Sequence, residues 1–215
     1  GPDGATGLEV ELVRGFAERL GVELDIRPAE AFGQLSGMLE RGEGDLIAAN
    51  LSRTPEREER FNFGPDYQES TILVLYRRGQ QRPRSFDDLA DKKVMVIADS
   101  SYENALERAR IDLPELDWEP RVDVGMETLL LALSDGAIDA TLPNVSEALA
   151  QIEDGTFRPL VVMTDKRLSD YPDVPTTFEK GFKVKTSTTR GYAVKAGTPE
   201  PVIQKLSDAL TAAMK

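Results

Sequence analysis

The chain of 215 residues contains no cysteine and no histidine. Without cysteine it has no disulfide, no thiolate nucleophile and no cysteine metal site. Without histidine it lacks the commonest general base and the commonest nitrogen ligand for a metal, so serine–histidine triads and histidine-based zinc hydrolase sites are excluded. Carboxylate and lysine chemistry stay open. Positive charge is also scarce: 26 Lys and Arg stand against 38 Asp and Glu, a formal net charge of −12. That balance opposes non-specific binding to nucleic acid, which needs a basic face. It does not oppose a small anionic ligand, because one local arginine is enough to hold it. No apolar run approaches the ~20 residues that a membrane-spanning helix requires. The absence of cysteine suits an oxidising compartment.

What is present is the pattern of a soluble globular protein, 40% hydrophobic and 30% charged, long enough for one large domain or two of about 100 residues. Apolar residues at helical spacing predict helices over 8–20, 32–41, 101–110, 126–134 and 146–153, with a short one at 86–90. Thr6 is a candidate cap for the first and Gly21 its stop. Thr198-Pro199 predicts the start of a last helix running to Met214, with Thr198 as N-cap and Pro199 in the first helical position. Short β-prone runs predict strands at 22–26, 45–50, 71–76, 94–98, 122–124, 138–142, 160–163 and 191–195. Residues 114–120 and 165–180 read as loops. Strands alternating with helices argue for an α/β fold with mostly parallel sheets. The expected core comprises Leu39, Leu46, Ile47, Leu73, Leu75, Val94, Val96, Ile97, Leu130, Leu133, Ile138, Val161 and Val162.

Residues 45–68 are the most informative stretch. An apolar run, Leu46 to Ala49, turns polar at Asn50, Ser52, Thr54 and Arg57. A buried strand that ends in a polar loop is where open α/β sheets bind ligands. Leu39, Gly42, Asp45 and Asn50 recur with the same spacing as Leu133, Gly136, Asp139 and Asn144. Either helix–glycine–strand turns simply resemble one another, or two similar lobes each offer an Asn at a strand end.

Several motifs in order carry a family resemblance over residues 1–150. They are Gly7-Leu8-Glu9, Gly44-Asp45-Leu46-Ile47-Ala48-Ala49, Thr54-Pro55-Glu56-Arg57, Phe63-Gly64-Pro65, Arg82-Pro83-Arg84-Ser85-Phe86-Asp87-Asp88-Leu89, Ser100-Ser101-Tyr102 and Glu127 through Thr141. This part resembles the type II periplasmic solute-binding fold of the amino-acid-binding family, and within it the binding-protein-like domain of F-type membrane-bound lytic transglycosylases. Residues 154–215 are instead similar to tripartite tricarboxylate transporter receptors, through Arg158-Pro159-Leu160, Thr164-Asp165-Lys166-Arg167, Tyr171-Pro172-Asp173-Val174-Pro175-Thr176 and Ala196-Gly197-Thr198-Pro199. A chimera joined near 142–155 is therefore one expectation.

The resemblance implies two lobes with a cleft between them: residues 1–78 and 190–215 as lobe 1, and 79–189 as lobe 2, with crossovers near 76–84 and 184–192. It also implies a first strand that is missing ahead of the first helix, leaving lobe 1 open to self-association. The implied function is non-catalytic binding of a small carboxylate or amino-acid-like solute, with a transporter or sensor as partner, in the periplasm. No cofactor, metal or nucleic acid is expected. The alternatives are a recombined fold that retains no ligand and, more remotely, a dehydratase.

By the same resemblance Arg57 would hold an α-carboxylate, since a guanidinium offers that group a planar pair of donors. The bland alternative is a surface ion pair within Glu56–Arg60. Asn50 and Ser52 match lining positions or else serve the turn. Phe32 lies against a ligand side chain or belongs to the core. Ser100 and Ser101 open a helix whose N–H groups suit an anion, and they also suit plain N-capping. Asn144 falls where amino-acid binders carry an Asp for the ligand ammonium. Arg190 faces the cleft or is an exposed crossover residue. Glu9, Glu11 and Glu103 are carboxylates with no partner evident in the sequence.

Overall fold

The structure, a computed structural model, describes residues 7–81, 83 and 85–214. The candidate cap Thr6 and the motif residues Arg82 and Arg84 lie outside the described residues. In chain order the elements are α1 (Leu8–Leu20), α2 (Gln34–Glu40), α3 (Pro55–Glu58), β1 (Phe61–Phe63), β2 (Gln68–Thr71), β3 (Leu73–Arg77), β4 (Met95–Ile97), α4 (Ser101–Asp112), β5 (Glu119–Arg121), α5 (Met126–Asp135), β6 (Ala140–Thr141), α6 (Leu149–Glu153), β7 (Phe157–Val162), β8 (Ser187–Arg190), β9 (Ala193–Lys195) and α7 (Glu200–Ala213). They fall into two compact units. Unit 1 takes the chain up to Glu30, then Gln34–Glu69, then Thr189 onward; unit 2 takes Ala31–Gly33 and Ser70–Thr188.

In unit 1, α1 buries Val13, Phe16 and Ala17, the i, i+3, i+4 stripe of an amphipathic helix. It stops at Gly21, which adopts a left-handed φ of 68° and returns its N–H to Ala17 and Glu18. The stripe packs with Leu210 of α7 and with Tyr192. A Cβ on Gly15 would sit only 3.7 Å from the Ala213 Cβ, so the two helices approach closely there. β1 pairs antiparallel with β9, Phe61 opposite Lys195 and Phe63 opposite Ala193. The strand expected at 45–50 is reduced to an antiparallel bridge of Ile47 with Ala193, and a further bridge, Ser52 with Arg190, follows it. The strand expected at 22–26 does not form. Leu24 and Ile26 are half-buried between exposed neighbours, so the alternation is real, but no described strand pairs with the segment. Extended backbone without a neighbour gains no ladder hydrogen bonds.

In unit 2, β3 is the centre of a three-stranded sheet in the order β6-β3-β7, both pairings antiparallel. The sequence reading placed this strand in lobe 1. It belongs instead to unit 2, where Leu73 to Leu75 have no exposed surface because two strands flank it. The chain thus enters unit 2 at Ser70 and not near residues 76–84. β4 and β5 form a parallel pair. β5 lies at 119–121 and not at 122–124, and it contains Pro120 inside the expected loop. Proline is tolerated because β5 is an edge strand, whose outward N–H needs no partner. α4 and α5 pack on one contiguous core that runs from Ile72 to Val184.

The α/β class is as expected. The expectation of mostly parallel sheets is not met: β1–β9, β3–β6 and β3–β7 run antiparallel, because each pairs segments that are not joined as successive strands of a strand–helix–strand unit. The last helix also begins one residue later than expected, with Pro199 at the N-cap. Of the expected core residues Leu46 is only half-buried, while the others are buried. Among the described residues no helix is long and apolar enough to cross a membrane, and no group of three or more acidic residues could hold a metal ion.

Candidate functional site

Each unit carries a polar cluster at strand ends. In unit 1 the segment after Ile47 turns sharply at Asn50, which has φ 53°. α3 follows, with Thr54 as its N-cap accepting from the Arg57 N–H. The short helix directs the Arg57 side chain back along the loop, where Nη1 donates to the Ser52 carbonyl at 2.8 Å. Ser52 is bridged on its other side to Arg190. Arg190 Nη1 donates to Asn50 Oδ1 at 2.5 Å. Asn50, Ser52, Arg57 and Arg190, scattered over 140 positions, are thus brought together in one unit. Arg57 and Arg190 are 8% and 4% exposed, so neither is a surface arginine.

Three residues to which the sequence assigned no binding role complete this cluster. Glu9, in the first turn of α1, accepts from the Asn50 N–H at 2.9 Å and from the Tyr67 hydroxyl on the same oxygen. Tyr192 donates its hydroxyl to the Glu9 carbonyl at 3.2 Å. Burial first, and then the bond to Glu9, pushes the Tyr67 phenol above its ordinary pKa, while Arg190 pulls weakly the other way. Tyr192 is pushed up too, by burial and then by the Glu9 charge. Both tyrosines are therefore hydrogen-bond donors throughout the neutral range. An apolar groove in the same unit, lined by Phe16, Leu46, Tyr192, Val194, Leu206 and Leu210 among others, contains none of the candidate binding residues.

In unit 2 the corresponding residues surround the start of α4. Ser100 is its N-cap: its hydroxyl accepts from the Glu103 N–H at 3.3 Å and donates to the Ile97 carbonyl at 2.5 Å. Ser101 is buried beside it. Asn144, 1% exposed, donates to the Tyr102 hydroxyl at 2.8 Å and caps the turn at 145–147, where Glu147 returns to the Asn144 N–H at 2.8 Å. Tyr102 in turn donates to Glu147 at 2.7 Å. Phe32 is half-buried against the unit 2 core. A Cβ on its neighbour Gly33 would lie 3.3 Å from Asp99 Oδ2, so this three-residue segment runs beside the residue that precedes Ser100.

Comparison with known proteins places the chain. The family model for bacterial extracellular solute-binding proteins, family 3, matches residues 2–215 in a single span that includes 142–155. The membrane-bound lytic murein transglycosylase F of Aliivibrio fischeri is 39% identical over 149 residues, 68% of this chain and 30% of that protein. Its counterpart in Pseudoalteromonas translucida is 40% identical over 139 residues, 65% of this chain and 29% of that protein. The chain thus spans under a third of the curated relatives it matches. Among solved structures, an ancestral arginine-binding protein bound to glutamine superposes with TM-score 0.73 at 21% identity, covering 96% of this chain and 81% of that one. A putative L-cystine ABC transporter protein from Listeria monocytogenes superposes with TM-score 0.76 at 20% identity, covering 96% and 80%. At that identity the likeness is one of fold, and it is the periplasmic solute-binding fold of amino-acid-binding proteins. With a family model that covers nearly the whole chain, this protein belongs to the bacterial extracellular solute-binding proteins of family 3.

Proposed function

We propose that the chain is a non-catalytic binding module for an amino-acid-like solute and that it recognises the solute's carboxylate. The observation that carries this reading is the pair of buried guanidinium groups in unit 1. Burying an arginine is costly unless its donors are used. Here Arg57 and Arg190 are each steered by a neutral oxygen of the same loop, Ser52 O and Asn50 Oδ1. The planar fork of donors on a guanidinium suits a carboxylate, and both arginines meet at the loop that carries Asn50 and Ser52. In unit 2 the same ligand class suits the start of α4, a helix of 12 residues whose first N–H groups favour negative charge. Asn144, whose amide is engaged with Tyr102 and Glu147, serves as a structural support and not as the ammonium site. The curated relatives are named for an enzyme activity, but this chain matches only about 30% of their length. A periplasmic location and a transporter or sensor partner accord with the family's description.

Calorimetric titration against arginine, glutamine, cystine, glutamate and short dicarboxylates tests the reading. Arginine and glutamine belong in the panel because the related ancestral protein is one that binds them. Binding should weaken about ten- to a hundredfold in Arg57→Ala, the loss of one charge-assisted hydrogen bond. Arg57→Lys should recover only part of it, since a point charge cannot reproduce the planar fork. Undiminished affinity in Arg57→Ala overturns the assignment. Absence of binding by any member of the panel favours the fold without a retained ligand.

A further inference from the structure

Four residues of unit 1 close a ring of hydrogen bonds. The Asn50 N–H donates to Glu9 Oε1 at 2.9 Å, Arg190 Nη1 donates to Asn50 Oδ1 at 2.5 Å, the Tyr67 N–H donates to the Arg190 carbonyl at 2.9 Å, and the Tyr67 hydroxyl returns to Glu9 Oε1. Asn50 sits in the left-handed region, φ 53°, which costs an L-residue energy, though less for asparagine and aspartate than for other residues. We propose that Glu9 is a positioning residue: by taking the Asn50 N–H it holds the turn in its left-handed form, so that Asn50 Oδ1 faces Arg190 and sets the direction of the guanidinium. This deepens the carboxylate reading and rests on it: Glu9 acts through Asn50 and Arg190.

Unit 2 supplies an internal control. Asn50 and Asp99 are the two non-glycine residues with positive φ among the described residues. Asp99, with φ 55°, gives its N–H to Glu103 Oε2 at 2.8 Å, and Glu103 lies in the first turn of α4 just as Glu9 lies in the first turn of α1. Asp99 immediately precedes Ser100 and Ser101. The same device, a first-turn glutamate holding a left-handed residue, therefore stands beside both candidate binding loops. A left-handed non-glycine residue next to a binding loop is conformational strain retained where geometry matters.

The test combines amide exchange with ligand titration. In the whole protein without ligand, Glu9→Ala should speed exchange of the Asn50 amide at least tenfold, and Glu9→Gln, which still offers an acceptor oxygen, should stay within about threefold of wild type. In titration, Glu9→Ala should weaken glutamine or arginine binding about tenfold. Asn50→Gly has a loss of its own, but glycine adopts the positive φ unaided. Adding Glu9→Ala to Asn50→Gly should therefore cost less than a further twofold. A purely structural glutamate would cost the same in both backgrounds, and that outcome, or unchanged Asn50 exchange in Glu9→Ala, overturns the proposal. If Glu9→Ala does not fold, Glu9→Asp, with its carboxylate withdrawn by one methylene, carries the same comparison. If wild type binds nothing in the panel, the carboxylate reading fails while the exchange measurement still decides the role of Glu9.

Discussion

Residues 39–50 of unit 1 and 133–144 of unit 2 begin alike and end differently. Leu39 and Leu133 are both buried, 3% and 0% exposed. Gly42 and Gly136 both turn the chain out of a helix with φ 74° and 77°, each returning its N–H to that leucine's carbonyl, at 3.1 and 3.2 Å. At the asparagine the likeness breaks. Asn50 is exposed and left-handed, and it receives Arg190. Asn144 is buried with φ −70° and is locked to Tyr102 and Glu147. One frame delivers an asparagine to each unit, and its partners, Glu9 and Arg190 in one case and Tyr102 and Glu147 in the other, decide whether it stands on display as an exposed residue or is buried as a brace.

The frame itself should be the most sensitive part. Leu39→Ala and Leu133→Ala should each lose about 2–5 kcal/mol of unfolding free energy. Trp118, the single tryptophan, lies in unit 2 and reports that unit by fluorescence, while circular dichroism reports both. If urea titration shows that only Leu133→Ala matters, the frames are not equivalent. Next in size is Asn144→Ala. It removes the side-chain cap of the turn at 145–147 and the amide that donates to the Tyr102 hydroxyl, and should cost about 1–3 kcal/mol, whereas Asn50→Ala should cost clearly less in the same titration. Equal losses would remove the distinction between brace and display. Third, Gly136→Ala should cost more than Gly42→Ala. Both positions are left-handed, a penalty of about 1–2 kcal/mol for an L-residue, but a Cβ at Gly136 would also meet Arg77 Nη2 at 2.9 Å while Gly42 has open space around it.

The smallest effect concerns pH. Tyr67 and Tyr192 have folded pKa values above the ordinary tyrosine value, so the folded state holds these protons more tightly than the unfolded chain. Their contribution is complete below about pH 10 and is lost as pH rises past it. Unfolding midpoints followed by circular dichroism should fall above pH 10, and Tyr67→Phe should make that fall shallower. An unchanged alkaline slope in Tyr67→Phe would show that its phenol is not held by burial and Glu9 as described. Asp165 and Glu179, depressed by Lys185 and Arg167, act in the opposite direction: their contribution is present above the ordinary carboxylate range and is lost as pH falls through it.

What the sequence made legible follows from the range of the forces involved. α5 and β3 were legible because helical periodicity and a run of β-branched and aromatic residues act within a few positions. The family motifs were legible because they are local strings. The strand at 22–26 was misread because alternation describes faces and does not supply a neighbour. Pro120 was misread because its tolerance depends on β5 being an edge. Arg57 and Arg190 were named from the sequence, but their burial was not legible, and neither was the role of Glu9: its partners lie 41 and 58 positions away, and nothing local announces a glutamate that binds a backbone amide.

The pairing of β1 with β9, and of α1 with α7, has a consequence for how the protein is made. Phe61 finds Lys195 at a separation of 134 positions along the chain, and α1 finds its packing partners in Tyr192 and the final helix. Almost all of unit 2, from Ser70 to Thr188, is by contrast one uninterrupted stretch. During synthesis from the N-terminus, unit 2 has its complete set of strands before unit 1 has received β9 or α7. Pairings that close such long loops form slowly. Refolding followed by Trp118 should therefore finish before the slower growth of the far-ultraviolet signal, because the first part of the chain to emerge is the last to reach its place.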